Sequence, residues 1–229
     1  MGVIVAIDGP AGSGKGTATK LVAEKLDLVN IDTGAMYRCV TLECLENKVK
    51  TTDIDSIKNI LKDIAIELKK EKNSNENYTQ KVYLNKNDVT EKIRTPEIDS
   101  FVAKFAAIKE VRETMVFMQR KMGENANIIM EGRDIGTTVF PNADIKIYLD
   151  ASIEERASRR YKQNIEKGIK CDYDEILASI KERHILETTR EISPLVQAVD
   201  AIYIDSSKIN IEQVVEKIIN IIREKKGNI

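Results

Sequence analysis

Residues Gly9 to Thr17 read G-P-A-G-S-G-K-G-T. They follow the apolar run V-I-V-A-I-D at Val3 to Asp8 and precede a stretch with helical spacing at Ala18, Leu21, Val22 and Leu26. A strand, a glycine-rich turn and a helix in that order form the setting of a phosphate-binding loop. The glycines let backbone N–H groups turn inward around phosphate oxygens, where side chains would collide. The helix N-terminus adds partial positive charge, and Lys15 is placed to reach the β- and γ-phosphates of a nucleoside triphosphate. Gly9, Pro10, Ala11, Gly12, Ser13, Gly14, Lys15, Gly16 and Thr17 are therefore the expected nucleotide-binding residues. The standard loop places Ser or Thr directly after the lysine as a Mg²⁺ ligand. Here Gly16 intervenes before Thr17, so direct ligation by Thr17 is left open.

Further along, short apolar runs at 28–32, 127–130, 145–149 and 201–204 read as four more strands. Helical segments separate them, and the last, at 211–225, carries Val214, Val215, Ile218, Ile221 and Ile222 on one face. Alternating strands and helices predict an α/β fold with a five-stranded parallel sheet flanked by helices. Two stretches break the alternation. Residues 66–93 are polar and lysine-rich and read as a small antiparallel insert, with a turn at Asn85 to Asp88. Residues 152–192 are rich in arginine and read as helix, loop near Gly168, helix: a candidate lid. The expected organisation is one domain over 1–229, with a core at 1–65, 94–151 and 193–229, the insert at 66–93 and the lid at 152–192.

Composition narrows the function classes. Lysine and arginine total 36 against 37 acidic residues, so the basic excess of a general nucleic-acid binder is missing. A local basic pocket for a small anion remains compatible with that balance. The three cysteines, Cys39, Cys44 and Cys171, form no C-x-x-C pair, which fits a reducing compartment. No apolar run reaches the ~18 residues of a membrane span, and a cytoplasmic protein without membrane partners is expected. His184 is the only histidine, and no ligand cluster is suggested around it. An N-K-N-D run at Asn85 to Asp88 matches a guanine-reading pattern, but it lies between polar strand-like stretches. A hairpin turn is the expected use of those residues.

Two further motifs fall at the carboxyl ends of predicted strands, where open α/β sheets place ligands: D-T-G-A-M-Y-R at 32–38 and E-G-R-D-I-G-T at 131–137. With them, and with N-D-V-T-E-K-I-R-T at 87–95, the arginine-rich stretch and S-P-L after Arg190, the chain resembles the bacterial cytidylate kinases. These are nucleoside monophosphate kinases with a phosphate loop, and the resemblance runs over nearly the whole chain. It implies ATP with Mg²⁺ as donor, CMP and dCMP as acceptors, and a monomer. By position, Thr33, Arg112 and Asp134 look like the cytosine-reading residues and Tyr37 like a pocket wall. Arg38, Arg133 and Arg190 look like holders of the acceptor phosphate, and Arg183 and Glu187 like ribose contacts. Arg156, Arg159 and Arg160 look like lid arginines over the transferring group. Lys15, Arg133, Arg156 and Arg160 are the expected catalytic set, and Thr17 and Glu131 the expected Mg²⁺ residues, acting directly or through water. Relatives often carry Asp at positions 131, 184 and 187, where this chain has Glu131, His184 and Glu187. Some place a serine where Ala103 stands.

The chemistry is consistent with these implied roles. A carboxylate accepts from the N4 amine of cytosine, and an arginine donates to O2 or N3. Uracil would turn its O4 acceptor toward the same carboxylate, a mismatch that discriminates by repulsion. Phosphoryl transfer asks mainly for positioning and charge neutralisation, which suits several arginines. The acceptor phosphate is already an anion near neutral pH, so no general base is needed.

Overall fold

The computed structural model describes residues 2–72, 78–124 and 126–227. Residues 73–77, inside the expected insert, lie outside the described residues. The elements in chain order are β1 (Ile4–Asp8), α1 (Lys15–Leu26), β2 (Val29–Asp32), α2 (Thr33–Glu46), α3 (Ile54–Asp63), β3 (Ile66–Lys72), β4 (Tyr78–Leu84), β5 (Asn87–Asp88), a 3-10 turn (Lys92–Arg94), α4 (Pro96–Phe105) and α5 (Lys109–Met122). They continue with β6 (Ile128–Gly132), a turn of π-helix (Ile135–Val139), β7 (Ile145–Asp150), α6 (Ile153–Glu166), α7 (Tyr173–Thr189), β8 (Ile202–Asp205) and α8 (Ile211–Lys226). The chain divides into two compact units, one of residues 1–32 and 120–229, the other Thr33–Gln119. Among the described residues, no helix is long and apolar enough to cross a membrane.

The first unit holds a five-stranded sheet in the order β2-β6-β1-β7-β8, with every pairing parallel. Its central strands are near-continuous apolar runs, as burial on both faces demands. Val5, Ile7, Ile129, Ile145, Ile147 and Leu149 are all almost completely buried. They pack with Ala18 and Val22 of α1 and with Val214, Val215, Ile218 and Ile222 of α8. At about 25 cal/mol per Å² of apolar surface removed from water, this layer is the main favourable contribution to the unit's stability. The third expected strand runs past Met130 through Glu131 and Gly132, because β1 and β2 still pair with it there. That register aligns Asp8 with Gly132 and Asp32 with Glu131.

The arginine-rich stretch forms two helices. Ser152 caps α6 by accepting from the Glu155 N–H, and Asp172 caps α7 by accepting from the Asp174 and Glu175 N–H groups. Gly168 lies between them with φ +69°, and the helices pack on each other.

In the second unit, α2 buries nearly its whole circumference, including Met36, Tyr37, Cys39, Val40 and Cys44. It packs on α3, on the 3-10 turn and on α4. The antiparallel sheet β3-β4-β5 is closed at one end by the two-residue turn Asn85-Lys86, both at positive φ (49° and 70°). Type I′ turns require that geometry. Asn85 reinforces it, since its Oδ1 accepts from the Ala65 N–H at 2.9 Å.

Candidate functional site

The loop between β1 and α1 is shaped as the glycine spacing implies. Gly12 and Gly14 take φ of 82° and 92°. The N-terminus of α1 at Gly14 has no side-chain cap, whereas α3, α4, α6, α7 and α8 are capped by Asp53, Thr95, Ser152, Asp172 and Asn210. Its N–H groups and dipole therefore face the loop, ready for an anion. Lys15 is buried and folds back over the loop, its Nζ donating to the Pro10 carbonyl at 2.8 Å and to Ser13 Oγ at 3.3 Å. Burial, and after it the Arg133 guanidinium, push the Lys15 ammonium below its ordinary range. A polyanion beside it would reverse that shift.

Two arginines of α6 bond the loop through its carbonyls. Arg156 is 2% exposed and donates to the carbonyls of Ala151 and Ala11. Burial lowers its pKa, with Asp150 and Glu187 opposing. Arg159 donates to the Ser13 carbonyl at 3.2 Å and to Ser206 Oγ and carbonyl at 3.0 and 2.6 Å. Ser206 Oγ itself donates to the Ser13 carbonyl. Arg159, grouped in the sequence with the lid arginines, is thus tied to the loop and to the segment after β8. Arg160 reaches Gln163 Oε1.

The E-G-R-D motif begins on the last two residues of β6, the strand beside β1, so the loop and the motif share the carboxyl end of the sheet. Glu131 comes close to the loop: a Cβ built on Gly16 would stand 3.0 Å from Glu131 Oε1. This accounts for the glycine after Lys15, because any side chain there would press on that carboxylate. Thr17 is exposed. An exposed hydroxyl and a carboxylate are hard oxygen donors and fit Mg²⁺. Among the described residues no three His, Cys, Asp or Glu side chains cluster into a metal cage.

After β6 the chain presents Arg133, Asp134 and the π-turn. Arg133 Nε donates to Glu187 Oε2 at 2.8 Å, and Arg183 Nε donates to Glu187 Oε1 at 2.8 Å. Burial would raise the Glu187 carboxyl, but Arg133 and Arg183 together hold it well below the usual carboxylate range. Asp134 is 2% exposed. Arg190 is held beyond α7, its Nε donating to the Ser193 carbonyl.

In the second unit, Thr33 opens α2 and is buried. Arg112 of α5 is also buried, donates to the Ala106 carbonyl, and lies over the Tyr37 ring at 5.3 Å from its centroid. Arg38 pairs with Asp99 and donates to the Ile93 carbonyl at 3.1 Å.

The sequence did not single out Asp8. It ends β1, is 5% exposed, and accepts from the backbone N–H groups of Ile135 and Gly136 at 2.8 and 2.7 Å. The only signal was a carboxylate closing an apolar strand.

A family profile described as Cytidylate kinase matches residues 5–224. A cytidylate kinase of Fusobacterium nucleatum is 48% identical, with 93% of this chain and 94% of that one covered. Another, of Bacillus subtilis, is 46% identical over 96% of each. A bifunctional pantoate ligase/cytidylate kinase of Prochlorococcus marinus is 48% identical over 97% of this chain, which spans 43% of that protein. Among solved structures, an uncharacterized protein from Eubacterium ventriosum superposes with TM-score 0.51 at 12% identity, covering 95% of this chain and 96% of that one. That likeness concerns the fold alone.

Proposed function

We propose, because the chain belongs to the cytidylate kinase family, that it moves the terminal phosphoryl group of ATP onto CMP or dCMP, giving ADP and CDP or dCDP. The observation that carries this reading is the placement of E-G-R-D on β6, directly beside the strand that feeds the phosphate loop, with Asp8 aligned to Gly132.

In this reading the loop Gly9 to Thr17 holds the donor phosphates through Lys15 and the backbone N–H groups of its residues other than Pro10. Arg133, Arg156 and Arg160 offset charge on the group in transfer. Little covalent chemistry is required of the protein beyond holding donor and acceptor in line. Thr17 and Glu131 are the oxygen donors that would hold Mg²⁺, directly or through water, and the ion would supply charge neutralisation at the donor phosphates. Arg133, Arg190 and Arg38 take the acceptor phosphate. Asp134 accepts from the cytosine N4 amine, Arg112 and Thr33 complete the base contacts, and Tyr37 backs Arg112. Arg183 and Glu187 take the ribose. Each Glu187 oxygen already accepts from an arginine and keeps a second lone pair for a hydroxyl. The helix pair α6–α7 acts as a lid that excludes water, and the active species is a monomer.

A coupled assay of ADP formation with CMP, dCMP, UMP and AMP tests the reading. CMP is expected to be preferred, and Asp134→Ala is expected to lose CMP turnover far more than ATP affinity. Equal turnover of UMP and CMP by the unaltered enzyme would refute it.

A further inference from the structure

One buried carboxylate has no part in the mechanism above. Asp8 ends β1 immediately before the phosphate loop, yet its side chain does not bond the loop. Both its oxygens face the chain that follows Asp134: Oδ1 accepts from the Ile135 N–H at 2.8 Å and Oδ2 from the Gly136 N–H at 2.7 Å. These are the first two residues of the π-turn Ile135–Val139, a short and uncommon conformation. The turn's own bonds begin further on, with the Thr138 and Val139 N–H groups donating to the Asp134 carbonyl. The first N–H groups of a helical turn have no intrahelical acceptor, and Asp8 supplies one to each of two.

We propose that Asp8 is the positioning residue for the acceptor-reading turn, clamping the Ile135 and Gly136 N–H groups so that Asp134 and Arg133 are held where they meet the nucleotide. The inference rests on the base-reading role given to Asp134 above.

Three observations favour positioning over simple burial. A buried carboxylate is costly unless paired, and an apolar residue at this strand end would close the sheet without that cost. The two N–H bonds are charge-assisted and therefore among the stronger ones available to a neutral backbone. The turn is also packed closely: a Cβ on Gly136 would stand 3.1 Å from Lys146 Cδ and in ordinary contact, at 3.4 Å, with Asp8 Oδ2. Burial pushes the Asp8 carboxyl up to about 6; the Gly136 and Ile135 N–H groups oppose it, Asp134 adds to it, and Lys15 opposes it. The clamp therefore joins donor and acceptor halves of one unit: β1 continues into the loop that holds ATP, and its last side chain sets the turn behind Asp134.

The test uses the full chain with Asp8→Asn, which keeps one acceptor and turns an NH₂ toward the other N–H, beside Asp134→Asn and the unaltered enzyme. KM and kcat are measured for CMP and UMP, and KM for ATP. Asp8→Asn is expected to raise KM for CMP about tenfold or more and to lower the CMP-over-UMP preference by a similar factor, consistent with losing a bond to a charged group. KM for ATP should stay within about threefold, since Lys15 and the loop bond elsewhere. Unchanged KM and preference in Asp8→Asn, with preference lost in Asp134→Asn, overturn the clamp and leave the base-reading role intact. Preference retained in Asp134→Asn overturns the base-reading role and the clamp with it. A uniform fall in kcat with preference preserved marks a purely structural carboxylate and also overturns the clamp. Should Asp8→Asn not fold, Asp8→Ser, which removes both carboxylate oxygens without adding volume, must show the same loss of preference. Hydrogen exchange gives a readout free of substrate: the Ile135 and Gly136 amides should exchange at least about tenfold faster in the folded variant, and unchanged protection there refutes the clamp.

Discussion

Glu187 Oε2 lies 2.8 Å from Arg133 Nε although 54 residues separate them. The same carboxylate takes Arg183 Nε through its other oxygen, so one buried anion on α7 fixes two guanidiniums by their inner nitrogens. The tips of both are then aimed by the fold instead of by a ligand, which is the preorganisation that phosphoryl transfer exploits.

That arrangement predicts a pH signature. The Glu187 carboxyl sits below its unfolded value in the folded protein, so it contributes stability that is present above about pH 4.5 and lost as pH falls further toward the folded value. Glu187→Gln should lower unfolding free energy by about 2 kcal/mol at pH 7, the modest end for broken buried pairs because both guanidiniums are partly exposed. Denaturant titrations from pH 7 to pH 3 should show the gap between variant and wild type closing below pH 4.5. A gap that stays constant over that range would sink the assignment.

Lys15→Met removes the only cation inside the loop while preserving most of its volume. We expect kcat to fall by about 100- to 1,000-fold, the usual loss when a group stabilising the transferring charge is deleted. Unfolding should be no easier, because a buried ammonium is replaced by an apolar side chain. Activity within tenfold of wild type would remove Lys15 from the chemistry.

Gly16→Ala puts a methyl group 3.0 Å from the present position of Glu131 Oε1. The carboxylate must move, and the Mg²⁺ concentration for half-maximal activity should rise about tenfold, with KM for CMP little changed. An unaltered Mg²⁺ titration would show that Glu131 does not serve the ion.

The strands and the phosphate loop were legible because their signals are local. A short apolar run needs no partner to be recognised, and Val3 to Asp8, 28–32 and 145–149 all emerge as parallel strands. The hairpin was legible for the same reason, since Asn85 is a turn residue with its own mechanism. Lys86 at φ +70° was less so, because lysine pays a steric penalty there that sequence propensity argues against. What escaped the sequence depends on long-range register. Asp8 acquires its meaning only once Gly132 lies opposite it and the π-turn folds over its oxygens. Arg159 read as one of three equivalent arginines on a helix, until the segment after β8 supplied Ser206 as its anchor. The stacking of Arg112 on Tyr37 likewise joins two helices that no spacing rule connects.

The carboxylate of Glu187 belongs to α7, whereas Arg133 is fastened to the sheet through β6. Helix α7 therefore cannot shift without changing the aim of Arg133, and an anion that draws Arg133 outward must act on α7 in return. By the reciprocity of linked equilibria, an anion bound at the Arg133 guanidinium and the setting of α7 would each bias the other.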